Sequence, residues 1–327
     1  MTESPPAISP VSQRAARAGI PALEIALLFA LAVLWAALYA FIKLGVATIP
    51  PFTFIGTRTV IAVAVLLAIM RLRGLAMPRD FDTWRKFLIQ ALINSVVPIT
   101  LLAWAEQTVD AGLAAILNST SPIFTFLITW GITRHEHASA RKLFGAFAGI
   151  AGVALIVGPE VLGGLGRELI AQVVIVLATI CFACAAIFGR NFAGLDPMVP
   201  ATGSLICGAI TLIPLSLIFE HPWTIRPSMT SIAAMFALAV FSTALAFVIY
   251  FHLIRTIGSV ATTSVSFIRV PIGVFFGVAF LGETLTASAW AGLVCVFVGV
   301  AAMTLPSRLA GSRRKPDPAL AGGAGEG

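Results

Sequence analysis

Two arginines lie deep inside apolar stretches of this sequence, Arg58 in PFTFIGTRTVIAVAVLLA and Arg269 in SFIRVPIGVFFGVAFL. A guanidinium in such surroundings is costly, so it either meets an anion in a wet cavity or snorkels to a polar boundary. Arg269 shares a helical stripe with Thr262 and Ser266 and stands two residues before Pro271, which frees a backbone carbonyl. A carboxylate clamp on a pathway and a cation braced on freed carbonyls are both open to it. Arg58 lies nearer the end of its stretch, where snorkelling is easier.

Aromatic and amide side chains recur at helical spacing in the same kind of surroundings. Trp35 and Tyr39 share one face of the first stretch, and Thr243, Phe247 and Tyr250 form a comparable stripe in the eighth. Interfacial aromatic belts sit at helix ends, so mid-stretch aromatics suit an interior surface able to stack an aromatic or cationic solute. Asn94 and Ser95 precede Pro98, and Asn118, Thr120 and Ser121 precede Pro122. Such groups serve a pathway or re-satisfy backbone freed by the proline. The pathway candidates are therefore Trp35, Tyr39, Arg58, Asn94, Asn118, Thr243, Phe247, Tyr250, Ser266 and Arg269.

Covalent and redox chemistry find no comparable support. There is no HExxH, no nucleophile elbow and no central carboxylate pair. Cys181, Cys184, Cys207 and Cys295 all fall in apolar stretches without ligand company, so neither metal nor cofactor is expected. Gly163 to Gly166 is a loop with no strand before it, unsuited to cradling phosphate. A proton-driven carrier normally carries an interior acid. Here Glu24 opens the first stretch, Glu106 closes the third and His252 is near an end, which leans towards facilitated export or exchange.

The elements that hold these residues are set by composition. With 59% hydrophobic and 11% charged residues over 327 positions, and a mean hydropathy of +1.00, the chain cannot cover a water-soluble globule. A net charge of +7 does not imply nucleic acid, because the basic residues sit in short gaps between apolar runs. Spans of ~20 apolar residues parse as Leu23–Val46, Phe52–Arg71, Trp84–Gln107, Ala111–Thr133, Arg141–Gly158, Arg167–Arg190, Pro197–Phe219, Ser228–Ile254, Ser259–Leu281 and Leu285–Leu305. The expected fold is thus an all-α integral membrane protein of ten transmembrane helices. Alternate gaps collect Arg14, Arg17, Arg71 to Lys86, Arg134, Arg141, Lys142, Arg190, Arg255 and the basic tail, against only Lys43, Arg167 and Arg226 opposite. That asymmetry puts both termini in the cytoplasm.

The second half retraces the first. Leu31-Ala32 matches Leu177-Ala178, Pro51 matches Pro197, Pro122 matches Pro271, and Glu136, Gly145 and Gly152 match Glu283, Gly292 and Gly299. Five helices per copy is odd, so the copies enter the membrane in opposite senses as an inverted 5+5 repeat. The expected layout is a disordered segment 1–22, repeats at 23–158 and 167–305, a loop at 159–166 between them, and a disordered basic, Gly/Ala-rich tail at 306–327. Gly145/Gly149 and Gly273/Gly277 have the GxxxG spacing of close helix packing, within the bundle or between two copies of a homodimer.

The run Ala111-Gly112-Leu113-Ala114-Ala115-Ile116-Leu117-Asn118-Ser119-Thr120-Ser121-Pro122, with Glu136 and Gly145 to Gly152 after it, resembles the fourth and fifth helices of the EamA branch of the drug/metabolite transporter superfamily. Pro271, Gly282-Glu283-Thr284-Leu285 and Trp290-Ala291-Gly292 to Gly299 resemble the matching half. The resemblance implies a ten-helix basket in the cell membrane that exports or exchanges small metabolites, often amino acids, without ATP. Trp35 and Arg58 fall where that family often has a helix-1 Trp and a helix-2 Arg, while Ala36-Ala37 departs from the Gly, Ser or Asn common there. The expected partners are the bilayer and a small solute: an amino acid or other carboxylate-bearing compound if the arginines line the path, a hydrophobic amine or drug-like cation if the aromatics do. A structural or sensory membrane protein is the reading from another class.

Overall fold

The computed structural model describes residues 21–133, 139–162, 166–258, 262 and 265–304. Glu136, residues 1–20 of the expected N-terminal segment, the expected tail at 306–327, and Gly163 and Gly164 of the expected loop lie outside the described residues. All regular structure among the described residues is helical. Eight helices among the described residues are long and apolar enough to cross a membrane: α1 (Ala22–Val46), α2 (Pro51–Leu72), α3 (Phe81–Ala105), α4 (Ala111–Gly131), α5 (Ala140–Val157), α6 (Arg167–Phe192), α7 (Met198–Phe219) and α8 (Met229–Thr256). Two shorter apolar helices follow, α9 (Val265–Leu281) and α10 (Ala287–Thr304). The first turns expected for α9 fall largely on residues outside the described set.

Local chemistry sets the helix ends. Pro51 begins α2, where its missing N–H costs nothing, and Gly74, at φ +68, follows its last turn. Asp80 caps α3 by accepting from the Thr83 amide at 2.8 Å, and Ser228 caps α8 by accepting from Ser231 at 3.1 Å. Two carboxylates cap helices far away in sequence. Glu220 accepts from the Phe52 and Thr53 amides that open α2 at 2.9 and 2.6 Å. Glu283 accepts from the Ala111 and Gly112 amides that open α4 at 2.6 and 2.8 Å. In each case an anion meets the positive end of a helix and satisfies amides that have no partner within it.

The helices pack in a paired pattern. α5 lies on α10, α2 on α7 and α4 on α9; α1 packs on α8 and α9, while α6 packs on α3 and α4; α7 packs on α3, and α2 on α8. Shifting every helix number by five maps this set of pairs onto itself. The α5–α10 crossing is as close as backbones allow. A Cβ added at Gly145 or Gly299 would lie 2.6 Å from the other's carbonyl oxygen, and one added at Gly152 or Gly292 would lie 2.8 Å from the other's. Gly273 and Gly277 face Ala115 and Gly112 of α4. Both GxxxG spacings are thus occupied by contacts within the chain.

Candidate functional site

Four helices, α2, α3, α7 and α8, carry two separate apolar layers. One contains Phe54 and Ile55, Val96 and Ile99, Leu212, and Met235 and Leu238. The other contains Ala62 and Leu66, Phe87 and Ala91, Met198 and Leu205, and Ala244 and Phe251. Between the layers each helix places a polar or minimal residue: Arg58 and Thr59 on α2, Ser95 on α3, Gly208 on α7, Ser242 and Thr243 on α8. A methyl added at Gly208 would meet Val96, Thr59 and the Ser95 hydroxyl at 3.7 to 4.0 Å, so these residues enclose it.

This polar belt is not internally satisfied. Thr59 and Thr243 give their hydroxyls to the Ile55 and Leu238 carbonyls at 2.7 and 2.8 Å. Arg58 Nε, Ser95 Oγ and Ser242 Oγ are buried with no hydrogen-bond partner among the described residues. Arg58 is 2% exposed, and no acidic side chain among the described residues pairs with it. Unpaired polar groups away from water cost about 1–3 kcal/mol each and more when charged. All three lie between the same two apolar layers, and a guanidinium and two hydroxyls are donors of the kind an anionic or polar ligand accepts from.

Backbone geometry explains how the two serines arrive there. Leu92–Val96 of α3 and Val240–Leu245 of α8 are π-turns, at matching places in the two halves. Each adds a residue to the turn, rotates the side chains beyond it and leaves a carbonyl to be satisfied. In α8 the Thr243 hydroxyl takes that carbonyl, five residues back. Asn94, in the α3 turn, is half-buried.

Beside the belt, α1, α4 and α6 are joined by side chains. Asn118 donates to the Tyr39 hydroxyl at 2.6 Å and accepts from the Thr179 hydroxyl at 3.2 Å, all three residues being buried. Trp35 packs on Tyr250 with ring centroids 5.3 Å apart, Tyr250 meets Phe251 at 5.4 Å, and Phe247 stacks on Phe251 at 5.7 Å. The structure thus brings together Tyr39 with Asn118, and Trp35 with Tyr250 and, through Phe251, Phe247. Arg269 and Ser266 are half-buried, and Ser266 borders a narrow gap with Ser119 of α4. Burial therefore separates the two arginines in favour of Arg58, the reverse of their positions along the apolar stretches. Sequence reasoning missed Thr179 and Ser242 as site residues. Only the repeat, which places Ser95 opposite Ser242, carried a signal for either.

Both ends of α1 are tied to α8. At one end Thr48 donates to Ser231 Oγ and Ser231 to the Leu44 carbonyl, each at 2.8 Å. At the other, Glu24 accepts from Thr256 at 3.0 Å and lies 3.3 Å from His252 Nε2. An open depression of about 450 Å³ lies near the first of these ends, lined by Lys43, Ala47, Asp110, Glu283 and neighbours.

Known proteins share this frame. The chain is 28% identical over 280 residues to the "Uncharacterized inner membrane transporter YedA" of Escherichia coli (strain K12), a match covering 85% of this chain and 89% of that protein. It is 26% identical over 262 residues to the "Probable terminal-alkyne amino-acid exporter" of Streptantibioticus cattleyicolor, covering 79% and 84% respectively. A solved crystal structure superimposes with a TM-score of 0.62 at 18% identity, covering 86% of this chain and 98% of that one, which establishes likeness of fold. The apolar helices and the inner-membrane relative make this a multi-pass protein of the cell membrane. The EamA-like transporter family model matches twice, at residues 22–158 and 169–305, and this chain belongs to that family of transporters.

Proposed function

We propose that this transporter exports or exchanges amino acids or related carboxylate-bearing metabolites by alternating access, with Arg58 as the group that receives the carboxylate. The observation that carries this is the buried Arg58 guanidinium without an acidic partner, in a belt where Ser95 and Ser242 also lack hydrogen bonds. A carboxylate entering the belt would accept from Arg58 in the charge-assisted geometry that guanidinium favours and from the serine hydroxyls. The name of the Streptantibioticus relative, an amino-acid exporter, agrees with that class.

The frame for this cycle is ten spans in an inverted 5+5 arrangement, with repeats at 23–158 and 167–305 and both termini cytoplasmic. Two observations support it: the helix pairs that repeat after a shift of five and the one-sided distribution of basic residues. Alternating access then consists of breaking the Thr48–Ser231 tie or the Glu24–His252–Thr256 tie, one at a time, around a fixed belt. Nothing in the cycle requires an enzyme's chemistry.

A second reading rests on the Trp35–Tyr250 pair, whose ring faces would attract a hydrophobic amine or drug-like cation. Counterflow in proteoliposomes separates the two. Vesicles loaded with mixed unlabelled amino acids should accumulate labelled amino acids and should not accumulate a labelled lipophilic amine; the opposite pattern moves the site to the aromatics.

A further inference from the structure

Glu106 follows the last residue of α3 and is completely buried, yet neither of its carboxyl oxygens has a hydrogen-bond partner among the described residues. The neighbouring acids are differently placed. Glu283 is bonded to two helix amides, and Asp110 borders the open depression. The charged groups facing Glu106 are Lys43 on α1 and Glu283 beyond α9. Among the described residues α4 adds Asp110, just before its start. α6, packed on α3, brings Arg167 and Glu168 in its exposed first turn and the buried Gln172.

An ionised carboxylate held dry and unpaired costs several kcal/mol, and a protein avoids that cost by keeping the group neutral. Burial holds the Glu106 carboxyl well above the usual carboxylate range, although Lys43 pulls it down; Glu283 adds to the rise. Lys43 is also the means of ending this state. Its ammonium donates to the Val109 carbonyl at 2.7 Å and has further N–H groups to give. It borders the depression of about 450 Å³ that opens beside the turn at 106–110. Moving α1 away from that turn would wet Glu106 and leave Lys43 beside it.

We propose that Glu106 is a proton-binding site that gates this end of the bundle. The closed arrangement holds Glu106 as a neutral acid. When α1 separates from the 106–110 turn, the acid gives its proton to a water of the depression, and the carboxylate left behind pairs with Lys43. Closing reverses the step. Proton uptake and release occur at the same mouth, so exchange becomes pH-dependent while no proton is carried across with the solute.

Infrared spectroscopy of the purified full-length protein in detergent tests this without any substrate. A protonated-carboxyl C=O band should persist at neutral pH in the wild type and be missing in Glu106→Gln. A wild type lacking that band at neutral pH overturns the proposal with no variant needed, and so does a band of undiminished intensity in Glu106→Gln. In proteoliposomes, wild-type exchange should fall by up to roughly tenfold per pH unit above a midpoint, and Glu106→Gln should be flat. Lys43→Met, which removes the cation that favours ionisation, should move the midpoint to higher pH. A Glu106→Gln protein that keeps the wild-type pH profile contradicts the gate. A Glu106 band that behaves as expected in a protein that exchanges no amino acid supports the proton site and contradicts only the substrate reading.

Discussion

The Asn118 side-chain amide donates to the Tyr39 hydroxyl at 2.6 Å, across 79 positions of sequence, while its carbonyl accepts from Thr179 at 3.2 Å. One amide thereby ties α4 to α1 and α6. α1 is also the helix tied at both ends to α8, so the network joins α1, between those two ties, to α4 and α6.

Tyr39→Phe leaves the Asn118 amide without its acceptor. Hydrogen bonds between membrane helices are worth about 0.6 kcal/mol on average and up to roughly 1.7, so a loss in that range is expected in denaturant unfolding. Thr179→Val should cost less, its bond being longer. Equal and negligible effects would mean that the network is incidental.

Ser95→Ala and Ser242→Ala should separate stability from transport. Each removes a buried hydroxyl that has no partner, so thermal stability should stay level or rise by up to about 1 kcal/mol. Counterflow should need severalfold more amino acid to half-saturate. Lower stability with unchanged half-saturation would assign the serines to packing instead.

Gly152→Ala should weaken the α5–α10 crossing, since the new Cβ would lie 2.8 Å from the Gly292 carbonyl oxygen. Overpacking of this kind costs typically 1–3 kcal/mol, and Gly145→Ala, opposite Gly299, should behave alike. Gly131→Ala, where the added atom meets nothing within 4 Å, is the control. A lower melting temperature for the first two alone is the expected result.

Acid should stabilise the turn at 106–110. Glu106 ionises near 4.5 when unfolded but is held well above that when folded, so between those values the folded protein binds more protons. Its contribution is therefore full at pH below the unfolded value and is lost as pH rises through the folded one. Glu283, raised by its burial against the pull of its two amide bonds, acts in the same direction. Melting scans should show a midpoint that declines towards alkaline pH in the wild type and declines less in Glu106→Gln.

Much of this organisation is legible in the residues alone. Apolar runs separated by charged gaps locate the helices, and the repeat singles out Glu283 by its match to Glu136. The missing part has a physical cause. A membrane helix is apolar all round, so periodicity does not reveal which face turns inward. Position along the stretch therefore favours Arg269, whereas packing buries Arg58. The π-turns at Leu92–Val96 and Val240–Leu245 escape detection because one extra residue per turn leaves composition and hydropathy unchanged. Thr179 stands alone in an apolar run, and its partner Asn118 lies 61 positions away.

The most direct test of the carboxylate site compares the two arginines in one assay. Wild type, Arg58→Gln and Arg269→Gln are reconstituted at equal density, and counterflow of labelled amino acids is measured. Loss of a charge-assisted bond worth about 1.5–3 kcal/mol predicts a drop of at least tenfold for Arg58→Gln, with Arg269→Gln close to wild type. Full counterflow in Arg58→Gln, or loss confined to Arg269→Gln, would contradict the assignment of the polar belt as the place where the carboxylate binds.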